Sequence, residues 1–219
     1  MIQIHVDGKQ IKVEEGISLL KACLDNEIFI PNLCYMEVFD PVPASCRLCF
    51  VEIEGAAQPV TACTLPVQDG LVVRTDTSGV RRLQRTALRL LLSVHHVECK
   101  NCHANKRCAL QDLAKFLNVR LKPRRYGIHL KQPHVDSRHP CLDYYPNRCV
   151  LCGRCVAVCR ALHGHAALTF GRRGFATAVS FFGGADSSNF PCHQCRACVE
   201  VCPVGALVLR NARQPDEMP

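Results

Sequence analysis

The first part of the chain alternates between apolar and polar residues, and this alternation is interrupted at Asp7-Gly8. A period of two around an Asp-Gly turn is typical of a β-hairpin. Ser18 can then cap a short helix over residues 19–26. Two later strands are predicted, at residues 50–53 and 71–75. A hairpin, a helix, a loop and further strands indicate a β-grasp domain, which we assign to residues 1–77.

The pattern changes to a helical period over residues 78–94. Apolar residues recur three or four positions apart, and arginines occupy much of the remaining surface, so this segment is predicted to be an amphipathic helix. The predicted apolar stripe consists of Val80, Leu83, Ala87, Leu90, Leu91 and Val94. We expect the helix to begin a small helical domain over residues 78–118.

The next segment, residues 119–140, is basic and contains prolines without a clean period, which predicts a linker ordered by packing on a neighbour. Three histidines of this segment are expected on a solvated or docking surface: His129, His134 and His139. Residues 141–219 form the last predicted domain. It should contain a helix over residues 156–165 and a hairpin whose strands flank the turn GRRG. The predicted fold class is therefore α+β.

Cysteine is far more frequent than usual, with 17 cysteines in 219 residues. A disulfide framework fits poorly, because the number is odd, the chain is long and its beginning, MIQIHVDGKQ, has no signal-peptide pattern. Apolar runs long enough to span a membrane are also missing from the sequence. We therefore expect a cytoplasmic protein without a membrane span, in which most thiols bind metal.

The strongest pattern is a pair of cysteine runs, CVLCGRCVAVC and CHQCRACVEVCP, which are separated by 32 residues. This spacing is that of bacterial two-cluster ferredoxins, in which the fourth cysteine of each run binds the cluster of the other run. One [4Fe–4S] cluster is therefore assigned to Cys149, Cys152, Cys155 and Cys202. The other is assigned to Cys192, Cys195, Cys198 and Cys159. Three closely spaced thiolates can reach three corners of a cubane, and a distant segment supplies the fourth.

A second cysteine set lies within the predicted β-grasp domain, with the spacing C-x11-C-x2-C-x13-C. A loop that carries three thiolates, followed by a fourth on a later segment, resembles the plant-type [2Fe–2S] arrangement, although the first gap is longer here. The predicted ligands are Cys34, Cys46, Cys49 and Cys63. Four cysteines can also form a tetrahedral zinc site, so zinc is the alternative.

A third set follows the amphipathic helix, with the spacing H-x3-C-x2-C-x5-C. Its members, His95, Cys99, Cys102 and Cys108, are predicted to bind a [4Fe–4S] cluster. His96 is the rival to His95, and zinc is again the alternative metal. A neutral imidazole in place of a thiolate makes a cluster less negative and should raise its reduction potential, as in Rieske centres.

The remaining two cysteines, Cys23 and Cys141, have no partner spacing and are predicted to be structural. The formal net charge of +8 would ordinarily favour an acidic partner. Fifteen ligand thiolates and four cluster cores would reduce that charge to about +1. We therefore expect no binding of nucleic acid.

Three stretches taken together resemble the N-terminal part of the large iron–sulfur subunit of respiratory complex I. They are CYMEVFDPVPASCRLCFVEI, HHVECKNCHANKRCALQDL and the paired ferredoxin runs. Iron-only hydrogenases and NAD-dependent formate dehydrogenases contain a similar module. Since the chain stops 17 residues after Cys202, it looks most like the small diaphorase-side subunit (HoxU type) of the soluble NAD-reducing [NiFe]-hydrogenase.

The resemblance implies an electron-transfer subunit with one [2Fe–2S] and three [4Fe–4S] clusters. Its implied partners are the flavin- and NAD-binding diaphorase subunit and the hydrogenase small and large subunits. The sequence shows no phosphate-binding glycine loop, no spare cysteine pairs for a nickel–iron centre and no catalytic arrangement. We therefore expect no catalytic residues. The alternatives are the same role in complex I or a formate dehydrogenase, a stand-alone electron carrier, and a zinc-organised binding protein.

Overall fold

The computed structural model describes residues 1–39, 41–122, 126–164, 167–182 and 192–210. Its strands are β1 (Ile2–Val6), β2 (Lys9–Val13), β3 (Phe50–Ile53), β4 (Val60–Thr61), β5 (Val72–Arg74), β6 (Leu142–Tyr144), β7 (Leu168–Gly171), β8 (Ala178–Phe181) and β9 (Leu207–Leu209). Its α-helices are α1 (Leu19–Asp25), α2 (Ser78–Ser93), α3 (Ala109–Phe116), α4 (Arg154–His163), α5 (Cys192–Cys195) and α6 (Ala197–Glu200). Within the described parts of the chain, no helix has the length and apolar character that crossing a membrane requires.

The N-terminal region folds as a five-stranded sheet in the order β2-β1-β5-β3-β4. The predicted hairpin is confirmed, since β1 and β2 pair antiparallel with Ile4 opposite Ile11. Strand β5 lies parallel to β1, and β3 and β4 follow on the side of β5 that faces away from the hairpin. The predicted cap of α1 is also confirmed, because the Ser18 hydroxyl accepts a hydrogen bond from the Lys21 amide at 3.2 Å.

Helix α1 packs its apolar face on this sheet, and the core that results is almost completely closed to solvent. Ile4, Leu19, Leu20 and Cys23 each have 0% exposure. Burial raises the pKa of the Cys23 thiol to about 12. This cysteine therefore behaves as a small buried hydrophobe, as predicted.

Helix α2 covers the predicted residues, but part of its predicted apolar stripe is wrong. Leu90 is 52% exposed, whereas Gln84, Leu88 and Leu92 are buried. Gln84 is tolerated inside because its side-chain amide donates to the Phe50 carbonyl at 3.1 Å. A hydrophobicity pattern places glutamine on the solvent side, and so it misplaces the face by which this helix contacts β3.

Helices α3 and α4, with strands β6 to β9, surround a second core that contains many of the cysteines. The predicted hairpin is confirmed as β7 and β8, paired with Leu168 opposite Phe181. Helix α4 begins two residues earlier than predicted, at Arg154, because Gly153 takes a left-handed conformation with φ of 78° and forms the turn into the helix.

The described part of segment 119–140 packs on this second core. The Lys131 amide donates to the Asn147 side-chain oxygen at 2.6 Å, and the Asn147 amide donates back to the Lys131 carbonyl at 3.0 Å. The prediction that His139 lies on the surface is wrong, because the residue is 7% exposed and its ring packs 4.9 Å from the ring of Phe181. His129 and His134 are exposed.

Candidate metal centres

The four predicted ligands of the N-terminal region lie together at the base of the loop before β3. Cys34 and Cys46 are 3.4 Å apart between their sulfur atoms, and Cys49 is hydrogen-bonded to Cys63. The two pairs also interact electrostatically, since the charge of Cys34 acts to raise the pKa values of Cys49 and Cys63. All four have at most 4% exposure. The hydrogen bond between Cys34 and Cys46 lowers the pKa of Cys34 to about 5 and raises that of Cys46, so the two thiols titrate as a pair.

The loop that follows α2 brings together the three cysteines of the next predicted set. Cys99 starts a turn in which its carbonyl accepts from the Cys102 amide at 3.2 Å. Cys108 is buried directly before α3, and burial, followed by interactions with Cys102 and Cys99, raises the pKa of its thiol. Cys99 and Cys102 therefore lie close enough to Cys108 for their charges to act on its thiol.

His95 lies at the end of α2, four residues before Cys99. Its Nδ1 atom is buried and has no hydrogen-bond partner among the described residues, while the backbone of Arg148 hydrogen-bonds to the imidazole. Burial lowers the pKa of His95 to about 4, so the ring is neutral at physiological pH. His96, the rival, is 49% exposed and lies 4.0 Å from the Glu98 carboxylate.

Cys149, Cys152, Cys155 and Cys202 line one cavity in the second core, together with Tyr144, Gly153, Phe170 and Pro203. Burial raises the pKa values of Cys152 and Cys155, and nearby Cys149 and Cys202 raise them further. Backbone amides point at the sulfur atoms: Leu151 donates to Cys149 at 3.4 Å, and Ala206 donates to Cys202 at 3.2 Å.

The second ferredoxin-type run lies beside Cys159. Burial raises the pKa of Cys198. The pKa is raised further by the charges of three neighbouring thiols, those of Cys192, Cys159 and Cys195. Arg196 has a φ of 54°, as Gly153 has 78°, at the equivalent position one residue after the second cysteine of its run. The structure therefore brings Cys202 to the first run and Cys159 to the second.

Cys141 also lies in this neighbourhood, since its interaction raises the pKa of Cys192. No sequence spacing indicated this proximity, because β6 places Cys141 there through the fold. Among the described residues, no three histidine, cysteine or acidic side chains are arranged to hold a single metal ion.

Two further side chains, neither of them predicted from the sequence, contact the sulfurs of predicted ligands. The buried Tyr144 hydroxyl is hydrogen-bonded to Cys149, and it accepts from the Val179 amide at 3.1 Å. The His163 Nε2 atom lies 3.3 Å from the Cys195 sulfur. The signal for His163 was available, since it follows Cys159 by four residues on one helix. No local pattern identifies Tyr144, because strand pairing positions it.

The order of these centres along the chain agrees with known families. Residues 1–78 match a 2Fe-2S iron-sulfur cluster binding domain. Residues 84–122 match the NADH-ubiquinone oxidoreductase-G iron-sulfur binding region. Residues 139–208 match the ferredoxin-like domain of NADH-quinone oxidoreductase subunit 3. The predicted α+β class with these domain types is therefore confirmed.

Individual relatives match nearly the whole chain. The NADH-ubiquinone oxidoreductase 75 kDa subunit of Reclinomonas americana is 31% identical over 214 residues, which cover 94% of this chain and 29% of that protein. The NADP-reducing hydrogenase subunit HndD of Solidesulfovibrio fructosivorans is 35% identical over 214 residues, covering 95% and 36%. The chain thus spans about a third of the length of these curated relatives.

A solved structure matches the chain over its full length. It is a chain of the NAD+-reducing [NiFe]-hydrogenase, in a crystal structure of the H2-reduced state. The two share 30% sequence identity with a TM-score of 0.82, and the match covers 100% of this chain and 90% of that one.

Proposed function

Because this chain belongs to the same family of iron–sulfur subunits as that [NiFe]-hydrogenase chain, we propose that it conducts electrons inside an NAD-reducing hydrogenase. The proposed subunit connects a hydrogenase module to a flavin- and NAD-binding module and has no substrate site of its own. The proposed partners are the diaphorase subunit and the hydrogenase small and large subunits, in the cytoplasm. The likeness to a chain of the NAD+-reducing [NiFe]-hydrogenase supports the hydrogenase partners. The iron–sulfur domains support the electron-transfer role.

We assign four clusters to the cysteine groups described above, in domains of residues 1–77, 78–118 and 141–219 joined by residues 119–140. The [2Fe–2S] cluster is held by Cys34, Cys46, Cys49 and Cys63. The three [4Fe–4S] clusters are held by His95 with Cys99, Cys102 and Cys108, by Cys149 with Cys152, Cys155 and Cys202, and by Cys192 with Cys195, Cys198 and Cys159. Iron–sulfur clusters supply one-electron redox changes, and the chain supplies ligands, a water-poor surrounding and hydrogen bonds to sulfur.

The observation that carries this proposal is the exchange of Cys202 and Cys159 between the two ferredoxin-type runs. Cys202 lies nearly fifty residues from Cys155 in the sequence and nevertheless lines the same cavity. That exchange is the arrangement that the two-cluster ferredoxin pattern predicts. A set of unrelated structural cysteines gives no reason for this pairing.

The environment of His95 supports it as the ligand in preference to His96. A metal-binding histidine usually donates its other ring N–H to a carbonyl or carboxylate. His95 has this arrangement, with a backbone hydrogen bond at Arg148 and a buried Nδ1 atom that has no partner among the described residues. His96 is directed toward solvent and Glu98.

Contacts between neighbouring ligand segments support a continuous path for electrons. The Ala109 amide, next to Cys108, donates to the Pro203 carbonyl, next to Cys202, at 2.9 Å. His95 is hydrogen-bonded to the backbone of Arg148, which precedes Cys149. Two short connections therefore join the His95 set to the Cys149 set, as expected if electrons pass between the ferredoxin-type centres and the histidine centre.

Purification of the native complex under argon tests the function. We expect a brown protein that contains inorganic sulfide and enough iron for one [2Fe–2S] and three [4Fe–4S] clusters, together with nickel from a partner subunit. Molybdenum or tungsten would indicate the alternative role in a formate dehydrogenase, and membrane subunits would indicate complex I. A monomer without stable partners would indicate a stand-alone carrier. A colourless protein that contains zinc would contradict the proposal. The variant Cys23→Ala is the matched control and should retain all clusters.

A further inference from the structure

Helix α4 carries three chemically active side chains at intervals of four residues: Cys155, Cys159 and His163. Residues four positions apart lie on the same face of a helix, each about 6 Å further along its axis. Cys155 groups with the Cys149 set, whereas Cys159 groups with the Cys192 set. The helix therefore runs from one proposed centre to the other, and His163 lies at the second.

The contact of His163 is directed at a proposed ligand. Its Nε2 atom lies 3.3 Å from the sulfur of Cys195. The other described N–H contacts to ligand sulfurs in this region come from backbone amides, as at Ala167 with Cys159 at 3.4 Å. A backbone amide is present whatever the side chain, whereas an imidazole donor is a property of this particular sequence.

A hydrogen bond to a thiolate ligand withdraws electron density from sulfur and so stabilises the more negative, reduced cluster. Hydrogen bonds to sulfur are one of the means by which proteins set cluster potentials, and the groups that contact ligands also fix their orientation. His163 is partly buried, and the end of α4 and Gly164 define its position. The fold thus fixes the backbone from which the imidazole reaches Cys195.

We propose that His163 is a positioning residue that donates its Nε2–H to the Cys195 thiolate and raises the reduction potential of the centre held by Cys192, Cys195, Cys198 and Cys159. This inference rests on the proposed function, because it requires a cluster at that site. The hydrogen bond from His163 would give the two ferredoxin-type centres different reduction potentials. At the Cys149 centre the side-chain contact comes from the Tyr144 hydroxyl.

Redox titration of the intact, cluster-loaded protein, followed by electron paramagnetic resonance, tests the proposal. The variants are His163→Ala, which removes the donor, and His163→Gln, whose side-chain amide can occupy the Nε2 position. Leu162→Ala is the matched control, since Leu162 is 58% exposed on the same helix. In His163→Ala we expect the ratio of reduced to oxidised Cys192 centre at a fixed potential to fall about tenfold, which corresponds to a shift of about 59 mV for one electron. His163→Gln should recover part of the shift, and Leu162→Ala should show none.

The outcomes separate this inference from the proposed function. If the wild-type protein lacks iron and sulfide, the proposed function fails. If all clusters are present and both His163 variants have the wild-type potential, only the role of His163 is refuted. Should His163→Ala lose the cluster, His163→Leu, which fills the space without a donor, decides: a potential below those of the wild type and His163→Gln supports the proposal, and a potential equal to theirs overturns it. Tyr144→Phe should shift the Cys149 centre and leave the Cys192 centre unchanged.

Discussion

The N-terminal sheet domain and the C-terminal ferredoxin-like region differ in the side chains that form their cores. The sheet domain has five strands, a capped helix and a core composed mainly of aliphatic side chains, among them Ile4, Val6, Leu19, Leu20, Ile30, Val51 and Val73. The C-terminal region has two-stranded sheets of three or four residue pairs and two helices of only four residues. Its core includes Cys149, Cys152, Cys155 and Cys159.

This difference indicates how each region reaches stability. The sheet domain can gain most of its free energy of folding from the transfer of apolar surface out of water. In the C-terminal region four thiols line one cavity, and the proposed cluster would join chain segments that are far apart in the sequence. We therefore expect binding of the proposed cluster to be part of folding, as in other small domains whose ligands come from separated segments.

Removal of iron tests the comparison with the largest expected effect. After treatment with a chelator and an oxidant, we expect β1, β5 and α1 to keep their protection from hydrogen exchange. In residues 149–159 and 192–209 the protection from hydrogen exchange should fall roughly a hundredfold or more. The free energy that this represents is a small part of the metal-binding free energies of about 10–16 kcal/mol in other metal-dependent domains. Mass spectrometry of exchanged peptides measures both regions in one sample. Equal loss of protection in the two regions would contradict the comparison.

Exchange of one crossing ligand should damage one centre within the C-terminal region. In Cys202→Ser we expect loss or conversion of the cluster held by Cys149, Cys152 and Cys155, because Cys202 lies with those thiols. In Cys159→Ser the centre of the other run should be lost. Iron analysis and electron paramagnetic resonance distinguish the two. If each substitution damages the centre of its own run, the crossed assignment is wrong.

Exchange of the histidine should change a potential and leave the fold intact. In His95→Cys we expect the cluster to remain and its potential to fall by roughly 100 mV, since a thiolate adds negative charge where imidazole was neutral. His96→Ala is the control and should titrate like the wild type. An effect of His96→Ala together with none from His95→Cys would make His96 the ligand.

The smallest expected effect is a pH dependence confined to the C-terminal region. Burial, followed by the charge of Arg210, lowers the pKa of His139, while in the unfolded chain its pKa is about 6.5. The unfolded state therefore binds more protons in this window, and stability should fall as the pH drops from about 6.5 toward the pKa of the folded state.

Chemical denaturation at several pH values, with His139→Gln as the comparison variant, measures this dependence. In the variant, the free energy of unfolding should depend less steeply on pH, because the contribution of His139 is removed. An unchanged slope would show that this histidine does not couple stability to pH.

Prediction from sequence worked where the signal was local. The alternation around Asp7-Gly8 predicted the first hairpin, and Ser18 predicted the cap of the first helix. It failed where tertiary contacts decide the environment of a polar residue. Gln84 is buried because the Phe50 carbonyl accepts its amide, and His139 is buried because Phe181 covers it. Neither partner is near in sequence, so no local period could show them.

We propose, above all, that the cysteines and one histidine hold a row of four iron–sulfur clusters along which electrons move. Stepwise reduction of the anaerobically purified protein, with quantified electron paramagnetic resonance and with iron and sulfide analysis, tests it most directly. We expect one [2Fe–2S] and three [4Fe–4S] centres per chain, each accepting one electron. Material with little iron and no resonance at any applied potential would contradict it.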